Sequence, residues 1–332
     1  MKQYTHAWLA MMSIKRLAQG PIPETEGRGK NPQQVAKFAR TLVRWFMNYR
    51  DFVVQGAWYP DQVLCDQGSS HGKKYAVGDP LLPVQLMSSL PETMEVYQLM
   101  KKESRLLDEP YEYKKGNVSE RCDAMAHTMV DNFKIQYMEE KGNPISPSST
   151  HMAMRFFIMS HYIADAHMPM HCDARSLGTI HTAIEEQWEN AVKNSYCIDE
   201  DNLRFFYDPN GFPLAKEKVT SYLKAVEEKI LTRPFVYKWA TGQKVENTRV
   251  YIDAVTQYSY LLAHEMVPDE LGNCTWTKYM KQDVSKRFDE YSAMLLADAV
   301  DSIARAWLHV WARYRDWGPD NPAGGPGDHY TN

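Results

Sequence analysis

Histidines are concentrated in one short stretch of this 332-residue chain, and acidic residues lie at helical spacing from two of them. Of the 11 histidines, five fall between positions 151 and 181. Residues four apart lie on one face of an α-helix, so His161 is expected beside Asp165, and His181 beside Glu185. Imidazoles and carboxylates are the ligands of catalytic zinc sites that keep open positions. The spacing therefore favours a catalytic metal site over a closed structural one.

A single His/carboxylate pair is a weak indication of a metal site. Independent placement of 11 histidines and 42 acidic residues gives roughly 1.4 such pairs by chance, and the chain has three. One of them, His127 with Asp131, is expected to be an ordinary helix-surface pair. The order H-x-x-x-D-x-x-x-P-x-H, followed ten residues later by H-x-x-x-E, is much more demanding. In this pattern Pro169 is expected to end the first helix and His171 to follow in the turn.

Two earlier segments supply residues of the same types. His6 opens the first helical segment, and Asp61 follows Pro60 in the sequence Trp-Tyr-Pro-Asp. His71 lies in a polar loop a few residues later. Asp66 competes with Asp61 as the acidic ligand, and we favour Asp61 because of its Trp-Tyr-Pro-Asp context.

Neighbouring residues leave two further questions open. Trp58 and Tyr59 could line a pocket for a headgroup or a base, or they could belong to the core at a helix end. Lys73 and Lys74 could contact a phosphate, or they could lie in a solvated loop.

Helical spacing dominates the chain and clear strand alternation is missing, so the sequence predicts an all-α fold. Helices are expected over 5–18, 33–54, 91–107, 118–140, 148–167, 178–195, 214–231, 246–266 and 275–315. The second is expected to stop at Gly56, and the last could be one helix or two. Since the candidate ligands must converge and no segment resembles a linker, 1–317 is expected to be one helical domain. The Gly- and Pro-rich segment 318–332 predicts a disordered tail.

Composition excludes several classes of protein. The formal charge of −4 gives no support to general electrostatic binding of nucleic acid or anionic lipid. No apolar run approaches the roughly 18 residues that a membrane span requires. The five cysteines form no C-x-x-C pair, so a thiolate zinc site is excluded and reduced thiols are expected. The first 20 residues make a poor signal peptide, so the chain as written is expected to be cytoplasmic, and secreted only if its true N-terminus was trimmed.

The motifs resemble those of the zinc-dependent phospholipase C and single-strand nuclease family. That family has an early His in the first helix, an Asp and a His in the next connection, then H-x-x-x-D-x-x-x-P-[L/M]-H and H-x-x-x-[D/E]. The matching residues here are His6, Asp61, His71, His161, Asp165, His171, His181 and Glu185. The resemblance covers positions 6–185, and it implies an all-α domain of that type with three zinc ions in one cleft.

The resemblance also implies how the zinc ions are shared. The first would be held by Asp61, His71, His161 and Asp165. The third would be held by His171, His181 and Glu185. Asp165 would bridge the first ion to a second that His6 also binds, and the amino group of Met1 could reach the same ion. Secreted members of the family use a free N-terminal Trp there, and they carry Gly at the position of Ala164.

The activity implied by the resemblance is hydrolysis of a phosphodiester. Close metal ions suit attack by an activated water, and Asp61 would be its general base or would orient it. Phospholipid is the favoured substrate, because of the context of Asp61 and the lack of a basic surplus. A nuclease acting on single-stranded nucleic acid is the alternative, and a non-catalytic metal-binding helical protein is a third reading.

Overall fold

The computed structural model describes residues 1–21, 32–66, 68–78, 102, 111–139, 147–235 and 248–317. Its helices are α1 (Gln3–Gln19), α2 (Pro32–Met47), α3 (Val53–Tyr59), α4 (Val118–Glu139), α5 (Ser149–Ala166), α6 (Pro169–Cys172), α7 (Gly178–Ser195), α8 (Ser221–Thr232), α9 (Thr248–Met266), α10 (Trp276–Tyr279) and α11 (Phe288–Trp317). The protein is therefore mostly helical, as the sequence predicts. The predicted helix over 91–107, apart from position 102, and the predicted tail 318–332 lie outside the described residues.

The described residues also form four short strands, which the sequence does not predict. β1 (Lys74–Val77) pairs antiparallel with β2 (Tyr111–Lys115), and β3 (Ile198–Asp199) pairs antiparallel with β4 (Arg204–Phe205). Segments of two to five residues are too short to display a clear alternation of apolar and polar side chains.

The last of the described helices, α11, forms the centre of the molecule. It is buried along most of its 30 residues, and α1, α2, α4, α5 and α8 pack against it. A buried ion pair ties it to the first helix, because Nε of Arg16 donates to Oδ1 of Asp301 at 2.7 Å. One cluster of buried apolar side chains extends from Met1 to Ala312. Within the described ranges, no helix is long and apolar enough to span a membrane.

The predicted stop of the second helix at Gly56 is wrong. The break lies earlier, after Met47, and Gly56 is inside α3. A Cβ atom at this position would lie 2.6 Å from Cβ of Phe157 on α5. The glycine therefore allows α3 and α5 to pack closely, which brings the end of α3 to the candidate site.

Backbone contacts fix the loop that carries His71. The chain at the start of β1 runs beside α6, where Tyr75 bridges to Asp173 and the N–H of Ala174 donates to the carbonyl of Tyr75 at 2.9 Å. A Cβ atom at Gly72 would overlap the carbonyl oxygen of His171. Only a glycine lets these two backbones approach so closely.

Gly72→Ala is expected to destabilise the fold by about 1–3 kcal/mol, since the added methyl group must displace the backbone of His171. Urea unfolding measures this loss. Gly178→Ala is the matched control, because a Cβ atom there meets nothing within 4 Å. An equal effect of the two substitutions would contradict the packing argument.

Candidate metal centre

The eight candidate ligands form three neighbouring groups, the first two of which share His161. The groups are His6, His161 and Asp165; Asp61, His71 and His161; and His171, His181 and Glu185. Within each group the possible ligand atoms lie within 4.8 Å of one another. Residues from four helices and two connecting segments thus meet in one place.

Asp165 lies at the centre of the cluster with its side chain 1% exposed. Its two oxygens lie 2.7–3.5 Å from the amino group of Met1 and from the rings of His6, His71, His161 and His171. Burial alone would raise the pKa of Asp165, but the neighbouring amino group and imidazoles hold it well below its usual range. Asp165 is therefore an ionised carboxylate that touches all three groups.

His161 is oriented by the backbone of α3. Its Nδ1–H donates to the carbonyl oxygen of Ala57 at 2.7 Å, because a carbonyl can only accept. That bond leaves the lone pair of Nε2 directed at the cluster, where Oδ2 of Asp165 lies 3.2 Å away. Metal-binding histidines commonly use the second ring nitrogen in this way.

His6 enters the cluster from α1 with no hydrogen-bond partner for either ring nitrogen among the described residues. The residue is 1% exposed, and its ring stacks on that of His161 with centroids 3.9 Å apart. Burial holds the pKa of His6 well below its usual range. A neutral, buried imidazole without a partner is costly, and coordination to a metal ion would satisfy it.

The third group combines His171 from α6 with His181 and Glu185 from α7. Oε1 of Glu185 lies 3.0 Å from Nε2 of His181, one helical turn earlier, and 3.3 Å from Nε2 of His171. The expectation that Pro169 ends the preceding helix is wrong. That helix stops at Ala166, and Pro169 instead begins α6, where a first-turn proline loses no hydrogen bond.

Asp61 lies on a π-helical turn, Pro60–Leu64, that directly follows α3. Such turns are rare and are frequently found at functional sites. Oδ1 of Asp61 lies 3.6 Å from Nε2 of His71 and 3.7 Å from Nε2 of His161. Burial raises the pKa of Asp61.

Asp66, the competing candidate, is held by other residues. The hydroxyl of Tyr162 donates to Oδ2 of Asp66 at 2.8 Å, and the Arg121 guanidinium bonds to the same oxygen. The carboxylate of Asp66 is in none of the three groups, so the geometry favours Asp61 as the ligand.

The amino group of Met1 lies between the first and third groups. It is 3.0 Å from Oδ1 of Asp165 and 2.8 Å from Oε1 of Glu185. Burial alone would lower its pKa, but the two carboxylates outweigh burial and raise the pKa to about 11. That this amino group binds zinc remains a prediction.

His167 and His127 are among the described histidines that lie outside the cluster. Nε2 of His167 is 2.8 Å from Oγ of Ser302, and burial lowers the pKa of this imidazole to about 3, so it is a buried structural residue. The expected pair of His127 with Asp131 is wrong. His127 lies nearer to Asp123, at 3.9 Å, while Asp131 pairs with a lysine.

Glu189 is a residue of the site that the sequence analysis missed. Its carboxylate accepts the backbone N–H groups of Tyr4 and Thr5 at 3.1 and 2.9 Å, and the Thr5 hydroxyl at 3.0 Å. It therefore caps the N-terminus of α1 from α7 and fixes the position of His6. Its spacing, four residues after Glu185, is the signal that could have revealed it.

The cluster opens into a cavity of about 740 Å³. The candidate ligands on its wall are Asp61, His71, Asp165, His171, His181 and Glu185. Trp58, Lys2 and Lys74 also line it, so Trp58 belongs to the cleft rather than to the closed core. The site therefore has room for a substrate beside the candidate metal ligands.

In comparisons with known proteins, no family model matches the chain, no curated protein matches its sequence, and no solved structure matches its fold.

Glu189→Ala is expected to lower the free energy of unfolding by about 0.5–2 kcal/mol, because two N–H groups of α1 lose their acceptor. Chemical denaturation measures the change. Glu186→Ala serves as the control, since Glu186 is 55% exposed and its partner among the described residues is Lys2. Its effect should stay within about 0.5 kcal/mol. Equal losses in both variants would show that Glu189 is not a specific cap.

Proposed function

We propose that this protein is a zinc-dependent phosphodiester hydrolase of the phospholipase C type. The observation that carries the proposal is the convergence of five imidazoles and three carboxylates on the wall and floor of one open cleft. Ligands of these types, without thiolates, belong to catalytic rather than structural zinc sites.

The donor set fits the expected ions. His6 has two unpartnered ring nitrogens within the described residues, and the two oxygens of Asp165 lie close to residues of all three groups. When bound, zinc supplies Lewis acidity, which makes water more acidic and stabilises charge that develops on a phosphoryl group. In this proposal the residues of the three groups would hold the zinc ions.

The protein's own side chains have separate tasks in this proposal. Asp61, which is 27% exposed at the cleft wall, orients the attacking water and accepts its proton at a carboxylate oxygen. The bond from His161 to the carbonyl of Ala57 holds the imidazole in one tautomer. Glu189 keeps His6 in place by capping α1.

A nuclease of the same type is the second candidate function. The position of Trp58 in the cleft lining supports it, because an indole ring offers a face on which a nucleobase can stack. The same ring can also contact a cationic lipid headgroup. A non-catalytic metal-binding protein is the third candidate, and it would have no use for an open cleft next to its metal ligands.

Asp165→Asn is expected to remove at least two of three zinc ions, because the amide is neutral and Asp165 reaches all three groups. Elemental analysis of the dialysed protein measures this. Asp66→Asn is the control and should keep all of its zinc, whereas Asp61→Asn should lose one zinc ion. Full zinc content in Asp165→Asn would overturn the assignment of the cluster.

Hydrolysis assays decide the substrate class. We expect the zinc-loaded protein to cleave phosphatidylcholine or a soluble phosphodiester, and to lose this activity on chelation and regain it with zinc. A preference for single-stranded DNA would favour the nuclease. No hydrolysis of any of the three substrates by fully loaded protein would leave the non-catalytic reading.

A further inference from the structure

Two adjacent lysines at the start of β1 have different surroundings, because successive residues of an extended chain project to opposite sides. Lys73 is nearly buried and pairs with Asp253. Its Nζ also donates to Oγ of Ser119 at 3.1 Å and to Oε1 of Glu120 at 3.4 Å. Lys74 instead lines the metal cleft. The structure thus separates two lysines that the sequence could not tell apart.

Lys74 has no ion-pair partner among the described residues. The carboxylate that acts on it electrostatically, Asp173, is already bound by Arg175, through Nε at 2.7 Å and the backbone N–H at 2.8 Å. Burial and the nearby Lys115 lower the pKa of Lys74. A half-buried ammonium without its own carboxylate gains most when an anion enters the cleft.

The other cationic groups in the described cleft lining are bound to carboxylates. The amino group of Met1 contacts Asp165 and Glu185. Nζ of Lys2 lies 3.5 Å from Oε1 of Glu186, a half-exposed carboxylate. Lys74 is therefore the cation of this part of the cleft that is available to a substrate.

We propose that Lys74 binds an anionic oxygen of the substrate and makes the cleft prefer phosphodiesters of net negative charge over zwitterionic ones such as choline phosphodiesters. The inference rests on the proposed function and specifies its substrate class. A lysine ammonium is a compact charge that binds phosphate well.

The discrimination arises from two residues with opposite preferences. The ring of Trp58 attracts a quaternary ammonium through its π face. The charge of Lys74 repels the same group within the same cleft. Removing the charge of Lys74 therefore weakens the binding of an anionic substrate. For a zwitterionic substrate the change is smaller, because its phosphate loses an attraction while its quaternary ammonium loses a repulsion.

The test compares two esters with the same leaving group, bis(p-nitrophenyl) phosphate, which is an anion, and p-nitrophenyl phosphorylcholine, which is a zwitterion. Lys74→Met should raise KM for the anion by about tenfold, as expected for a lost hydrogen bond to a charged group. KM for the zwitterion should change less, so the preference for the anion shrinks. Lys74→Arg should stay close to the original protein.

Lys115→Met is the matched control. Lys115 is exposed and lies opposite Lys74 in the strand pair, but it does not line the cleft. Its removal takes away the same charge nearby and should leave both KM values unchanged. Circular dichroism checks that each variant is folded, and Lys74→Gln replaces Lys74→Met if the latter is not.

A binding measurement separates the two proposals. Calorimetric titration of the zinc-loaded protein with inorganic phosphate should show about tenfold weaker binding in Lys74→Met, even if neither ester is hydrolysed. If the original protein hydrolyses neither ester, the result counts against the proposed function but not against the role of Lys74. Equal KM changes for both esters, or unchanged phosphate affinity, would overturn the role of Lys74.

Discussion

The candidate site depends on how the negative charge of one buried carboxylate, Asp165, is balanced by its neighbours. An ionised carboxylate in a protein interior is very costly unless cations or hydrogen-bond donors surround it. Asp165 is 1% exposed, and its compensation comes from groups on α1, on α6, on its own helix and in the loop before β1. These segments cannot separate without leaving the carboxylate unpaired. The convergence of the candidate ligands follows from this constraint.

The helices were largely predictable, because their apolar faces repeat at the helical period. The helix predicted over 178–195 has the same bounds in the structure. The errors occurred where a local signal depends on tertiary contacts. The sequence predicts that Gly56 ends a helix, but Gly56 is a point of close packing against Phe157. The sequence likewise predicts that Pro169 ends a helix, but Pro169 begins a new one after the connection.

Only part of the candidate site could be predicted from the sequence. Side chains four residues apart on a helix, such as His181 and Glu185, could be paired from spacing alone. The choice between Asp61 and Asp66 needed the positions of Arg121 and Tyr162, which only the fold supplies. The spacing of Glu189 from Glu185 indicates that both lie on one face of a helix, but it does not show that Glu189 caps another helix.

The packing of α1 on α11 affects the order in which the site can form during synthesis. Arg16 and Asp301 are 285 positions apart, so the helix that carries His6 is held by the last described helix of the chain. A nascent chain that has emerged as far as Glu185 contains all eight candidate ligands but not this support. Joining distant parts of a chain is slow compared with forming local structure. All eight candidate ligands are therefore present in the growing chain before the helix that holds α1 in place has been made.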